Sequence, residues 1–348
     1  MEIITNRKPF FSVIINNYNY GRFIEEALDS VLGQTFPKNE MEVIVVDDGS
    51  SDDTAVRLRR YGDSIRCFFK ANGGQASALN TGFINSRGEF IALLDADDYW
   101  HHEKLRYVAE EFQKSDGVDF VCHFMNVVDL HNKIIDRYVF PDYGEDYLKN
   151  YLKGVLPWSS PCSGMSVRAE CLRKAMPVPE EFRIAADIYL HYTLPFYAGK
   201  LSVVKKRLGY SRLHNDNMSG GNLMTPVKLS REMDILLRIE RHIAGQAGKL
   251  GYDASLISQR IESMALWYDV LIRSLKGEKL KALRDAALFN RFLPKDTFGY
   301  RLARKSALVL SVSLPPGLSL WLQRRYRMAV NSAYYLRGLL LSEQTNGI

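Results

Sequence analysis

Cysteine is scarce in this 348-residue chain. Only Cys67, Cys122, Cys162 and Cys171 occur, and no two stand in a C-x-x-C spacing. That argues against a zinc site or a disulfide framework and suits a reducing compartment. The N-terminus, from Met1 to Phe11, lacks a long apolar core, so no signal peptide is expected. No G-x-G-x-x-G follows the first apolar run, which argues against an ordinary dinucleotide site, and the absence of G-x-x-x-x-G-K-[ST] excludes a P-loop. What is present is a globular composition, 46% hydrophobic and 25% charged, enough for one large or two ordinary domains. The net charge of +6 hides an asymmetry. Residues 1–197 carry 21 basic and 29 acidic side chains, residues 198–348 carry 25 and 11. The first half suits a cation-using domain and the second a surface for an anionic partner.

The order of apolar runs indicates an α/β fold. Phe10–Ile15, Glu42–Val46 and Phe90–Leu94 read as buried strands, and Ile65–Phe69 as a further strand. Between them lie helical patterns, one with Phe23, Ala27, Val31 and Leu32 on a single face. Such alternation predicts a mostly parallel sheet with helices on both faces, whose ligands bind outside the carboxyl ends of the strands. Tyr18, Asp48 and the cluster Asp95-Ala96-Asp97-Asp98 all fall at such ends. Crowded carboxylates repel, so the cluster suits a hard cation such as Mg²⁺ or Mn²⁺, shared with substrate phosphates. A solvated acidic turn is the plain alternative. The Gly73-Gly74 pair, opening a helix, suits close backbone approach and an anion such as phosphate.

Ser12–Asn19, Val45–Asp52, Asn72-Gly73-Gly74 with Asn80 and Gly82, and Asp95-Ala96-Asp97-Asp98 stand together, in order, over about 100 residues. This set resembles the family 2 glycosyltransferases of the GT-A fold, over roughly residues 10–215. The resemblance implies a nucleotide-sugar donor, a divalent metal (Mn²⁺ or Mg²⁺) and inversion by direct displacement. It places Asn17, Tyr18, Asp48, Asn72, Gly73, Asn80, Asp95 and Arg212 at the donor, with Tyr18 and Asp48 toward the nucleobase. It makes Asp97 a metal ligand, joined by His214. Asp187, in Ile184–Leu190, resembles the general base of that family. A helix-capping Asp would suit the same position. Trp158 lies where the family covers its acceptor site and is read as an acceptor contact or a core residue. The chain departs from the pattern at Asn16-Asn17, His102 and Ala186.

The expected organisation is a GT-A domain over 1–220 and a basic helical region over 221–348. Val227, Met233, Leu236, Leu237 and Ile243 suit one helix, and Leu256, Ile257, Met264, Trp267, Leu271 and Ile272 a second. Leu280, Leu283, Ala287 and Leu288 suit a third, with glycine breaks at Gly245–Gly251 and Gly277. Segment 298–341 holds an apolar run broken by Pro315-Pro316-Gly317 between basic flanks, too short to span a bilayer. It reads as an interfacial segment on an anionic membrane, or as a face for the catalytic domain or a second subunit. The expected function is transfer of a single sugar, UDP-linked by preference, to a glycan or lipid-linked saccharide in cell-surface polysaccharide synthesis. The expected place is cytoplasmic, peripheral at the inner face of the plasma membrane, with no nucleic acid partner. A nucleotidyltransferase and a non-catalytic binding module of the same fold are the alternatives.

Overall fold

The computed structural model describes residues 8–114, 117–140, 142, 147–152, 160–214, 217 and 225–282. They fall into two compact units, Met1–Glu145 with Ser159–His214, and Asp146–Trp158 with Asn215–Ile348.

The first unit is built on one nine-stranded sheet. Strands β1 (Phe11–Asn17), β2 (Met41–Asp47), β3 (Arg66–Phe69) and β4 (Phe90–Asp95) run parallel in the order β3-β2-β1-β4. Chain order reverses direction across β1, so β1 and β4 flank a topological switch point, where open α/β sheets bind ligands. Register sets Asn17 beside Asp47 and Asn16 beside Asp95, which brings three strand ends to one rim. The rest of the sheet is mixed. β5 (Tyr99–Trp100), β6 (Val118–Val128), β7 (Ile134–Tyr138), β8 (Met165–Arg168) and β9 (Lys200–Arg212) extend it, and β8 is antiparallel to both β4 and β6.

The central strands β1, β2 and β4 are mostly apolar because both their faces are covered, while the edge strand β3 is half-buried. Val13, Ile15, Val43, Val45, Ala92 and Leu94 face helices α1 (Gly21–Leu32) and α4 (Lys104–Lys114). Ile44 and Val46 pack with Ala78 of α3 (Gln75–Ile84) on the opposite face. There a Cβ on Gly82 would meet Ile14 Cγ2 at 2.4 Å, so glycine is what lets α3 lie against β1. Each such aliphatic side chain contributes about 1.5–3 kcal/mol on burial. The short helix α2 (Thr54–Leu58) follows β2.

Between β7 and β9 the chain adds α5 (Tyr147–Leu152), α6 (Ala169–Ala175) and α7 (Ala186–Thr193). Strands β5 and β8 were not foreseen. Two and four residues long, they carry no periodicity of their own and exist through their partners on β9, β4 and β6.

The second unit pairs α8 (Pro226–Lys249) with α9 (Ser255–Leu275). Leu229, Tyr268, Leu271 and Ile272 form its core. Glu240 and Arg260 pair inside it at 2.6 Å, and both also bond to Tyr151 of α5. Gly245 and Gly248 continue within α8; the break comes at Gly251, where φ is +82°. Val227, expected on the apolar face, is exposed at the first turn. The third expected helix falls mostly outside the described residues. Among the described residues no helix is long and apolar enough to cross a membrane.

Candidate active site

At the β1 and β2 ends, polar side chains are bonded into a frame. Asn17 Nδ2 donates to Asp47 Oδ1 (2.8 Å) and to Ser50 Oγ (3.1 Å), while its buried Oδ1 has no partner among the described residues. Asp48 is buried and accepts from Lys70 Nζ (2.7 Å), Gly73 N (3.0 Å) and Gly74 N (2.6 Å). Tyr18, next along, is exposed on the rim.

The glycine pair does something other than cradle an anion directly. Gly73 and Gly74 give their N–H groups to Asp48, and Gln75 N donates to Arg183 O at 2.7 Å. A Cβ on Gly74 would lie 2.6 Å from Arg183 Cα, and its φ of +88° favours glycine. Close backbone approach is therefore real, but the approaching segment is 178–186 of this same chain. Asn72 bonds Arg183, and both amide atoms of Asn80 bond the backbone of Val178 at 2.9 Å. The Asn80 side chain thus holds that segment in place.

The β4 end is different. Asp95 accepts from Asn16 Nδ2 (2.8 Å) and Gln75 Nε2 (3.2 Å). Desolvation, then the charges of Asp97 and Asp187, push its carboxyl up to about 7. Asp98 is held by Ser163 Oγ (2.7 Å) and Arg212 N (2.8 Å), and is likewise pushed well above the usual carboxylate range, first by burial and then by Asp97. Ser163 is itself fixed by Trp100, whose ring N–H donates to Ser163 O at 2.8 Å. That is the task of β5: it anchors the turn that shapes the acidic cluster.

Asp97 Oδ2 and His214 Nε2 lie 3.1 Å apart, both buried. Two neighbouring ligands of an octahedral ion with bonds of about 2.1 Å sit about 3 Å apart, so this oxygen–nitrogen pair fits one divalent cation. Tyr20 and Phe23 wall the imidazole at 5.5 and 5.1 Å. Arg212 is turned inward. It donates to Asn132 Oδ1 (2.7 Å), to Asp97 O (3.1 Å) and to Glu26, and lies over Phe23 and Tyr99. Expected at a diphosphate, its buried guanidinium instead fixes the backbone of Asp97 two residues before His214.

Asp187 sits in the first turn of α7, where it accepts from Ile188 N at 2.9 Å. It is therefore a residue of the helix itself; the capping position is Ala185, a non-glycine residue at φ +63°. Such backbone is uncommon and costs of order 1 kcal/mol. Asp187 is only partly covered by area, yet enclosed enough that desolvation pushes its carboxyl up to about 6. Gln75 bonds both Asp95 and the backbone N–H of Ala186, which sets Asp187 and Asp95 in one region.

The structure thus gathers Asn17, Asp48, Asn72, Gly73, Asp95, Asp97, Asp187, His214 and the linking Gln75 in one unit, along the carboxyl ends of β1, β2 and β4 and the segments packed there. Trp158 lies outside the described residues, as does segment 298–341. In the sequence Gln75 is one polar residue in a glycine-rich stretch. No local signal shows that it reaches Asp95 and the backbone of Ala186.

Comparison with known proteins gives three kinds of match. The family described as "Glycosyl transferase family 2" matches residues 12–170. An uncharacterized glycosyltransferase of Nostoc sp. is 36% identical over 253 residues, 70% of this chain and 77% of that protein. The chondroitin synthase of Pasteurella multocida is 29% identical over 228 residues, 64% of this chain but 22% of the synthase. Among solved structures, S. aureus TarS 1–349 in complex with UDP-GlcNAc superposes with a TM-score of 0.60 at 24% identity, covering 96% of this chain and 92% of that one. A mannosyltransferase, PcManGT from Pyrobaculum calidifontis with GDP-Man and Mn²⁺, gives 0.53 at 18%, covering 96% and 87%. These likenesses show a shared fold.

Proposed function

The chain belongs to glycosyltransferase family 2 and has its GT-A fold, and we propose that it transfers a single sugar, with inversion, from a nucleotide-sugar to an acceptor hydroxyl. The acceptor class is a glycan or lipid-linked saccharide, in cell-surface polysaccharide synthesis. The observation that supports the reading is the Asp97–His214 contact beside Asp95 at the end of β4, joined through Gln75 to the backbone next to Asp187.

The donor lies along the rim, its base toward Tyr18, Asn17 and Asp48 and its ribose or sugar toward Asp95. Asp187 takes the proton of the acceptor hydroxyl as that oxygen attacks the anomeric carbon. A carbon–oxygen bond forms, the bond to the diphosphate breaks, and its electron pair leaves with the nucleoside diphosphate. A carboxyl raised to about 6 is still ionised at neutral pH and is a stronger base than an ordinary one. Asp97 and His214 are the residues that would hold a divalent ion, which supplies Lewis-acid stabilisation of the leaving diphosphate when bound. The preference for UDP rests on the resemblance alone, which sets Asp48 toward the base; in the fold that carboxylate is engaged by Lys70, Gly73 and Gly74. The fold does not choose the base, since the similar structures hold UDP-GlcNAc in one case and GDP-Man in the other.

The basic, proline-broken segment 298–341 supports docking on an anionic membrane surface, at the inner face of the plasma membrane. Flotation with anionic liposomes tests this, and binding that does not respond to salt would count against it. The function itself is tested by nucleoside diphosphate release across a panel of nucleotide sugars, with Mn²⁺ and with a chelator. One donor class should turn over, and only with the metal. Pyrophosphate release would indicate a nucleotidyltransferase, and no turnover with any donor a binding module.

A further inference from the structure

We infer that Gln75 is a positioning residue that ties the donor-side carboxylate of Asp95 to the turn carrying Asp187. The inference rests on the proposed roles of those two residues. Gln75 Nε2 donates to Asp95 Oδ1 at 3.2 Å, and Gln75 Oε1 accepts from Ala186 N at 3.0 Å. A side-chain amide is the group that suits both contacts, because it offers a donor at one end and an acceptor at the other. Turned over, it would face a carboxylate with oxygen and an N–H with its own N–H, so the orientation follows from the partners.

The surroundings hold Gln75 where this bridge forms. Its own N–H donates to Arg183 O at 2.7 Å, and Gly74 packs directly against Arg183. Further along α3, Ser77 bonds Glu180 at 3.2 Å and Asn80 bonds Val178. One face of α3 is therefore fastened to segment 178–186 at several points. The last of them, Ala186, adjoins Asp187 and follows Ala185, whose left-handed backbone is maintained by its surroundings. The consequence is a coupling: a donor that settles on Asp95 does so against an amide that also sets the height of Asp187. Displacing a catalytic group by about 1 Å can cost about 100-fold in rate, so a bridge of this kind acts on turnover more than on donor affinity.

Two variants of the full chain test it. Gln75→Met keeps the length and loses both hydrogen bonds. It should lower kcat about 10- to 100-fold, with donor KM within about threefold of wild type. Gln75→Glu keeps an acceptor for the Ala186 N–H but sets a second carboxylate on Asp95. It should hold kcat within about threefold and raise donor KM about tenfold. This split is something a merely structural residue would not produce. Wild-type kcat in Gln75→Met, or equal loss of kcat in both variants, overturns the inference. If Gln75→Met does not fold, the Gln75→Glu split decides alone. Asp187→Asn turning over at the wild-type rate would instead overturn the functional reading, and Gln75 with it. An inactive Asp187→Asn beside an unaffected Gln75→Met would overturn the Gln75 inference only.

Discussion

Two groups of carboxylates stand at the ends of the strands that flank β1, and they have opposite surroundings. At the end of β2, Asp47 meets Asn17 and Ser50, and Asp48 meets Lys70 with two backbone N–H groups. At the end of β4, Asp95 and Asp98 accept, among the described residues, only from neutral groups, and Asp97 meets His214; burial and the neighbouring carboxylates push the carboxyls of Asp95 and Asp98 up. In sequence the two look alike, D-D-G-S and D-A-D-D. In the fold the first is a finished frame that fastens the 70–74 loop. The second keeps its mutual repulsion, as a site must if a cation is to be bound there. The buried Glu240–Arg260 pair of the helical unit makes the same point from a distance.

The largest effect expected is at Asp187. Asp187→Asn should lower kcat about 1000-fold with donor binding retained, since the general base is lost while the rim is intact. Kinetics alongside calorimetric titration of the nucleoside diphosphate checks both halves, and unchanged transfer would remove the base. Next, Asp97→Asn and His214→Ala should each lower kcat about 100-fold at fixed Mn²⁺, whereas Lys70→Met at the β2 end should not change the Mn²⁺ dependence. A shared loss of metal dependence across all three variants would erase the contrast between the two clusters.

A smaller effect concerns pH. The base works deprotonated, and its pKa is raised to about 6, so kcat at saturating donor should fall about tenfold per pH unit below that value, while kcat/KM also reflects Asp95, which is raised to about 7. A profile that stays flat down to pH 4.5 would contradict the assignment. The smallest effect is on stability. Asp48→Ala leaves the Gly73 and Gly74 N–H groups without their acceptor and should destabilise by about 2 kcal/mol. Asp97→Asn in metal-free protein removes a like charge and should leave the thermal midpoint unchanged or raise it. Equal destabilisation by both would make the two clusters equivalent.

The parallel half of the fold was legible in the sequence because buried parallel strands write themselves as apolar runs, and their carboxyl ends carry the motifs. Asp97 stands at such an end, whereas Asp187 and His214 are named only through the resemblance of their segments to the family's motifs. What was not legible depends on distant contacts. Arg212 has the look of a phosphate ligand, and only the fold shows it reaching Glu26 and Asn132, far back in the chain. Gly73-Gly74 reads as an anion loop, and only the fold shows Arg183 lying against it. Strand β5 is two residues whose pairing with Tyr210 and Gly209 has no counterpart in local pattern.

We propose that the β4 end, and not the β2 end, binds a cation shared with a diphosphate. Calorimetric titration of Mn²⁺ in the presence of a nucleoside diphosphate, on wild type and on Asp97→Asn, tests it most directly. The account predicts saturable one-to-one binding in wild type that is lost in Asp97→Asn. Undiminished Mn²⁺ binding in the variant, or no binding in wild type, would contradict it.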